Sequence, residues 1–235
     1  GTGDFTHPAW REELKEALSP AEDGFYTLRE DMRLPGAAAG GAPRFVISGE
    51  ISSIYKKDGK VSKVHNVILL PGLDEAETLA KRLEAIGNIH SDGRPILGLD
   101  CHDLLAITLD ACPEAIYVPA HIWTPHFSLF GAFSGFDTIE ECYEELTPQI
   151  HALETGLSSD PSMNRRLSAL DSFHLISNSD AHSPAKLGRE ANLFDIPMSY
   201  DGLYGAIQRG EGLAGTIEFF PEEGKYHFDG HRKCH

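Results

Sequence analysis

The apolar and polar positions of the chain switch repeatedly between two periods. Trp10, Leu14 and Leu18 repeat at helical spacing behind Thr6, a capping residue, with Pro8 in the first turn, and they predict a helix there. Phe45-Val46-Ile47 reads as a buried strand ending at Gly49-Glu50. Ile51 to Tyr55 and Val61 to Val64 flank Asp58-Gly59, a dipeptide that takes positive φ readily, so a hairpin is expected. Val67 to Leu70 is the next apolar run. Asp74 and Glu77 form a capping-box pattern ahead of Leu79, Ala80, Leu83 and Ile86, with Gly87 as the stop. Beyond it, strand-like runs at 96–99, 115–118, 151–154, 173–176 and 216–219 alternate with helical patterns at 102–111, 137–146, 161–170 and 199–208. Such alternation favours an α/β fold with a mainly parallel sheet, closed as a barrel or doubly wound. Residues 35–43 are small and read as a flexible stretch too short to link domains.

Composition narrows the class. A chain of 235 residues, 41% hydrophobic and 24% charged, is an ordinary soluble globular protein with one sizeable core. Its longest apolar runs are too short to span a bilayer and no secretory h-region is present, so a cytoplasmic location without membrane contact is expected. Cys101, Cys112, Cys142 and Cys234 are too scattered for a disulfide framework, and the first three read as small core hydrophobes. The absence of a G-x-x-x-x-G-K-[ST] loop, a G-x-G-x-x-G turn and a G-x-S-x-G elbow argues against a nucleotide cofactor and against a serine hydrolase. With 36 acidic and 20 basic residues the net charge is −16, where nucleic-acid binders normally carry a basic stripe. The opening Gly1-Thr2-Gly3-Asp4 reads as an internal portion of a longer protein.

Candidate chemistry is positional. Glu50, His121, Glu154 and the Asp180-x-His182 pair each follow an apolar strand-like run. The carboxyl ends of barrel strands open onto one face, so these side chains are expected to converge on one polar, metal-binding site. Asp180 and His182 would share a side of an extended segment, a hard oxygen and an imidazole aimed at one cavity; alone, the same residues make a capped turn. Glu50 could bridge two cations that activate water and stabilise a leaving oxygen, or be a plain exposed carboxylate. His65 precedes its apolar run and becomes a ligand only if the hairpin carries the chain back over the site. Asp4 alone reads as a helix cap, and Glu154 could pair with an arginine. Lys186, Arg189, Arg165 and Arg166 adjoin the site and could hold phosphate, while Trp123 and Phe127 could stack on a base or pack in the core. His231-x-x-Cys234 has the spacing of half a structural zinc site.

Gly1 to Pro8, Ser48-Gly49-Glu50, Pro119 to Gly131, Leu153 to Ser158, Ser177 to Pro184 and Leu187-Gly188-Arg189-Glu190 together resemble the PHP (polymerase and histidinol phosphatase) superfamily, over essentially the whole chain. Within it the likeness is to the endonuclease Q-like enzymes. The resemblance implies a distorted (β/α)7 TIM-like barrel over residues 1–224. Its first strand, which carries a His-x-His pair in the family, would stand before Gly1, and a zinc-ribbon-like module would begin at residues 225–235. It also implies two or three divalent ions, zinc or manganese, on Asp4, Glu50, His65, His121, Asp180 and His182, with Glu154 at the site. A further structural zinc would use His231 and Cys234. The implied activity is a metal-dependent phosphodiesterase that cleaves DNA 5′ of deaminated bases such as uracil and hypoxanthine, or at abasic sites, by metal-hydroxide attack. Asp180, Glu50 and Glu154 would be the catalytic carboxylates, with Lys186, Arg189, Trp123 and Ser128 facing phosphate or DNA. Two alternatives stand beside it: a phosphomonoesterase for a small metabolite, histidinol-phosphatase-like, which suits the acidic surface, and a non-catalytic metal-binding scaffold.

Overall fold

The computed structural model describes residues 1–34 and 41–226. In chain order the elements are α1 (Pro8–Ala17), β1 (Leu18–Pro20), β2 (Tyr26–Leu28), β3 (Ile47–Lys57), β4 (Lys60–Leu70), α2 (Leu73–Glu84), β5 (Ile96–Leu97), α3 (Cys101–Ala111), β6 (Ile116–Pro119), α4 (Ile139–Tyr143), β7 (Ala152–Glu154), α5 (Pro161–Asn164), β8 (His174–Ile176), β9 (Ala191–Phe194), α6 (Tyr200–Arg209) and β10 (Leu213–Ile217). The fold is mixed α/β. A four-stranded sheet has the order β5-β3-β4-β6, and β1-β2, β7-β8 and β9-β10 form pairs; none of the sheets closes on itself among the described residues.

The expectation of a mainly parallel sheet is corrected. Only β3 with β5 and β7 with β8 run parallel; β3 with β4, β4 with β6, β1 with β2 and β9 with β10 are antiparallel. The physical reason lies at Asp58-Gly59. Both residues take positive φ, 50° and 78°, so a two-residue turn joins Lys57 to Lys60, and a connection that short permits only antiparallel pairing. Four runs that read as separate short strands therefore fuse into two strands of 11 residues.

Alternation along this hairpin separates two faces. Ile51, Val64 and Ile68 point into the main core, where they meet Leu79 and Leu83 of α2 and Leu104 and Leu105 of α3, all fully buried. Each such side chain removed from water contributes about 2 kcal/mol. A second cluster packs α6, through Leu203 and Ile207, against Ile116 and Val118 of β6 and Ile176 of β8. Cys101, Cys112 and Cys142 are buried free thiols, as expected.

Several helix boundaries differ from the sequence reading. Thr6 does not cap α1; His7 holds that position, and the Thr6 hydroxyl donates to the Gly93 carbonyl at 3.3 Å. Asp74 lies inside the first turn of α2 behind Gly72, while Glu77 pairs with Lys15 and Lys81, so no capping box forms. The 137–146 helix is cut short because Glu144 takes φ 50°, after which residues Glu144–Gln149 form a 3-10 turn. The 161–170 helix breaks where Arg165 turns back to the carbonyls of Leu170 and Phe173, at 2.6 and 2.8 Å. No helix of the described residues is long and apolar enough to cross a membrane. Residues 35–40 of the small-residue stretch, and His231 and Cys234, lie outside the described residues.

Candidate metal centre

The turn at Asp58-Gly59 sets the register that builds the site. It places Glu50 opposite Val67 and Ser52 opposite His65, so Glu50 and His65 are diagonal neighbours on the face of the hairpin away from the core. Their side chains meet there, with His65 Nδ1 at 2.6 Å from Glu50 Oε1. This is how His65 reaches the site although it precedes an apolar run.

His121 arrives from the neighbouring strand. Past the end of β6 the Ala120 amide donates to the His65 carbonyl at 2.9 Å, and the chain then turns sharply with His121 at φ 30°. Glu154, at the end of β7, accepts the His121 amide on Oε2 at 2.7 Å, and its Oε1 accepts from Asn178 Nδ2 at 2.7 Å. His121 Nδ1 is engaged by Thr124 Oγ1 at 2.9 Å, which leaves Nε2 facing Glu50 Oε1 at 3.3 Å and His65 Nδ1 at 3.2 Å. Gly156, at φ +64°, must lack a side chain because a Cβ would run into that of His121.

Glu50, His65 and His121 thus each aim one ligand atom into a cluster within 4.8 Å. Two imidazoles and one carboxylate form the donor set of an open divalent-metal site, and the residues present fit such an ion. Burial pushes the Glu50 carboxyl up, but hydrogen bonds from His121 and His65 outweigh it and hold it well below the usual carboxylate range. At His65 burial dominates and lowers the imidazole. At His121 burial also opposes the proton, yet the hydrogen bond to Glu50 and the charges of Glu50, Glu154 and Asp180 raise it. Burial lifts Glu154 to about 7.

The other expected ligands stand around this triad. Asp4 abuts Gly93, and its carboxyl is raised by burial and then by Asp92 and Glu50. Asp180 lies near enough to act on His121, with its Oδ1 3.7 Å from Nδ1 of a largely exposed His182. Asp4 and Asp180 have φ 51° and 43°. With His121, three of the expected ligands therefore occupy a backbone region that costs non-glycine residues about 1–2 kcal/mol each. Strain of this kind persists where function or packing imposes it.

The groups expected to face phosphate or DNA are placed differently. Arg189 donates to the carbonyls of Ser179 and Asp180, at 2.7 and 3.0 Å, and so holds the Asp180 turn. Lys186 is exposed. Trp123 lies on Phe130 at 4.9 Å and donates to Asn164 Oδ1 at 2.8 Å. Ser128 is fully buried with its hydroxyl on the Thr124 carbonyl. Phe127 tilts against His65 at 4.8 Å, beneath Lys63. No pattern in the sequence marks Arg94, whose Nη1 is 3.4 Å from Glu50 Oε2.

No family model matches the chain. It is 33% identical to the uncharacterized protein YqxK of Bacillus subtilis over 132 residues, 55% of this chain and 32% of that protein. It is 30% identical to the uncharacterized protein MJ0043 of Methanocaldococcus jannaschii over 152 residues, 59% of this chain and 18% of that protein. The chain thus spans about a third or less of these curated relatives. Among solved structures, the lesion-specific endonuclease PfuEndoQ from Pyrococcus furiosus superposes with a TM-score of 0.75 at 28% identity, covering 96% of this chain and 51% of that one. Endonuclease Q in complex with a 27-mer duplex carrying an abasic lesion at its active site superposes with a TM-score of 0.76 at 29% identity, covering 97% and 52%. The chain therefore has a mixed α/β fold similar to about half of endonuclease Q, a lesion-specific DNA endonuclease.

Proposed function

We propose that this chain is the metal-dependent phosphodiesterase portion of a DNA endonuclease that acts at lesions, namely deaminated bases such as uracil and hypoxanthine, or abasic sites. The observation that carries the reading is the Glu50-His65-His121 cluster, set in a fold similar to that of a lesion-specific endonuclease. On this reading residues 1–224 are a PHP-type distorted barrel, with Asp4, Asp180 and His182 as further ligands around the triad and zinc or manganese as the ions. A bound divalent cation supplies a Lewis acid for a phosphoryl oxygen and acidifies water.

The chain's own residues have distinct tasks. Glu50 Oε1 and the facing nitrogens of His65 and His121 hold the cation, with Thr124 leaving His121 Nε2 available. Glu154 positions His121 through its backbone amide, and at about 7 its carboxyl can hold or release a proton near neutrality. Arg189 fixes the turn that presents Asp180.

The net charge of −16 favours a second reading, a phosphomonoesterase for a small metabolite. Incubating manganese-loaded protein with a duplex bearing one uracil or one abasic site, and separately with an aryl phosphate, distinguishes the two. Backbone incision at the lesion is expected. Turnover of the aryl phosphate with intact DNA would overturn the endonuclease reading in favour of the phosphatase.

A further inference from the structure

We infer that Arg94 grips the scissile phosphate at this centre; the inference rests on the phosphodiesterase reading above. Arg94 lies in the loop between α2 and β5, which is tied down on both sides. The His90 carbonyl meets His7 Nε2 at 3.0 Å, the Gly93 carbonyl accepts from Thr6, and the Pro95 carbonyl accepts the Ser52 amide at 3.0 Å. Asp92 Oδ1 accepts the Arg94 amide at 3.0 Å. The guanidinium is thereby delivered to the triad. Among the described residues it belongs to the one cation within ion-pair distance of any triad member besides the imidazoles themselves.

Its contact differs from the two-nitrogen pairs of two other arginines, and unlike Arg82 and Arg209, which also meet a carboxylate through one nitrogen, it sits beside the triad. Arg44 meets both oxygens of Glu22 with two nitrogens, and Arg29 does the same to Asp31 at 3.2 Å twice. Arg94 touches Glu50 with Nη1 alone, at 3.4 Å, and its side chain is 35% exposed. Among the described residues its Nε and Nη2 donors make no hydrogen bond. Glu50 is correspondingly divided: Oε1 faces both imidazoles and Oε2 faces Arg94. A planar fork with spare donors beside a metal-ligand cluster matches the non-bridging oxygens of a phosphodiester. The other cations near the site are committed elsewhere, Arg189 to backbone carbonyls and Lys63 over the Phe127 ring at 5.2 Å.

The test compares wild type with Arg94→Ala and Arg94→Lys. Metal-free protein in chelator is titrated with an abasic-site duplex by fluorescence anisotropy at several salt concentrations. Arg94→Ala is expected to lower the slope of log affinity against log salt by about 1, because one phosphate contact is lost. In the metal-loaded protein the incision rate is expected to fall about 100- to 1,000-fold with metal content unchanged. Lysine should recover little of it, and added guanidinium should restore part of the alanine variant's rate. An Arg94→Ala protein with wild-type slope and rate overturns the inference, as does one whose loss of rate follows loss of metal. Wild-type protein that binds no duplex without metal and incises none when metal-loaded overturns the phosphodiesterase reading and the inference together. Binding and incision by wild type with an indifferent alanine variant overturns the inference alone.

Discussion

Glu190 buries its carboxyl beside that of Glu218, with Oε1 accepting the Phe219 amide at 3.3 Å and Oε2 lacking a partner among the described residues. Burial pushes it up to about 7, the Ser177 hydroxyl opposes the shift, and the Glu218 charge adds to it. The folded protein therefore holds this proton more tightly than the unfolded chain does. The resulting stabilisation is complete below about pH 4.5, the ordinary glutamate value, and is lost as pH rises through about 7. Glu190→Gln should remove the dependence, so the Tm advantage of the variant over wild type is expected to grow from pH 5 to pH 8. A constant difference across that range would contradict the assignment. At this scale the site was legible in part: His121 follows the end of β6 as its apolar run suggested, whereas Glu50 joins it from within the 11-residue β3, not from a strand end. Arg94 was not, because nothing periodic marks the 85–95 loop and its approach to Glu50 is set by tertiary contacts with Thr6, His7 and Ser52.

The element that matters most is the β3–β4 hairpin, because its register makes Glu50 and His65 diagonal neighbours. A slip of one residue would turn His65 to the core face. Gly59 at φ +78° guards against that slip, and a β-branched residue there is strained. Gly59→Val is expected to lower unfolding free energy by about 1–2 kcal/mol in urea. Asp58→Asn, which tolerates positive φ, should cost little, and equal effects would show that the turn does not set the register. The turn was readable from Asp58-Gly59, but the length of its strands was not: Ser48, Gly49, Ser52 and Ser53 break the apolar pattern although the ladder runs through them. The pairs β1-β2 and β9-β10 show the same limit. Residues 18–20 and 26–28 carry too few positions to display a period, and they pair because the chain folds back between them.

For the whole molecule, charge and fold pull in opposite directions. A chain of net charge −16 repels a polyanion, yet its fold is similar to about half of a lesion-specific endonuclease. The conflict eases at the centre, where Asp4, Glu50, Asp92, Glu154 and Asp180 gather with few cations and divalent ions would be the largest local positive charge. The proposed chemistry requires the triad to hold such an ion. X-ray diffraction from crystals soaked in manganese or zinc, recorded on both sides of the metal's absorption edge, tests this most directly. An anomalous peak bonded to the Glu50 carboxylate and the imidazoles of His65 and His121 is the expected result; a bound ion elsewhere with that cluster empty would contradict it.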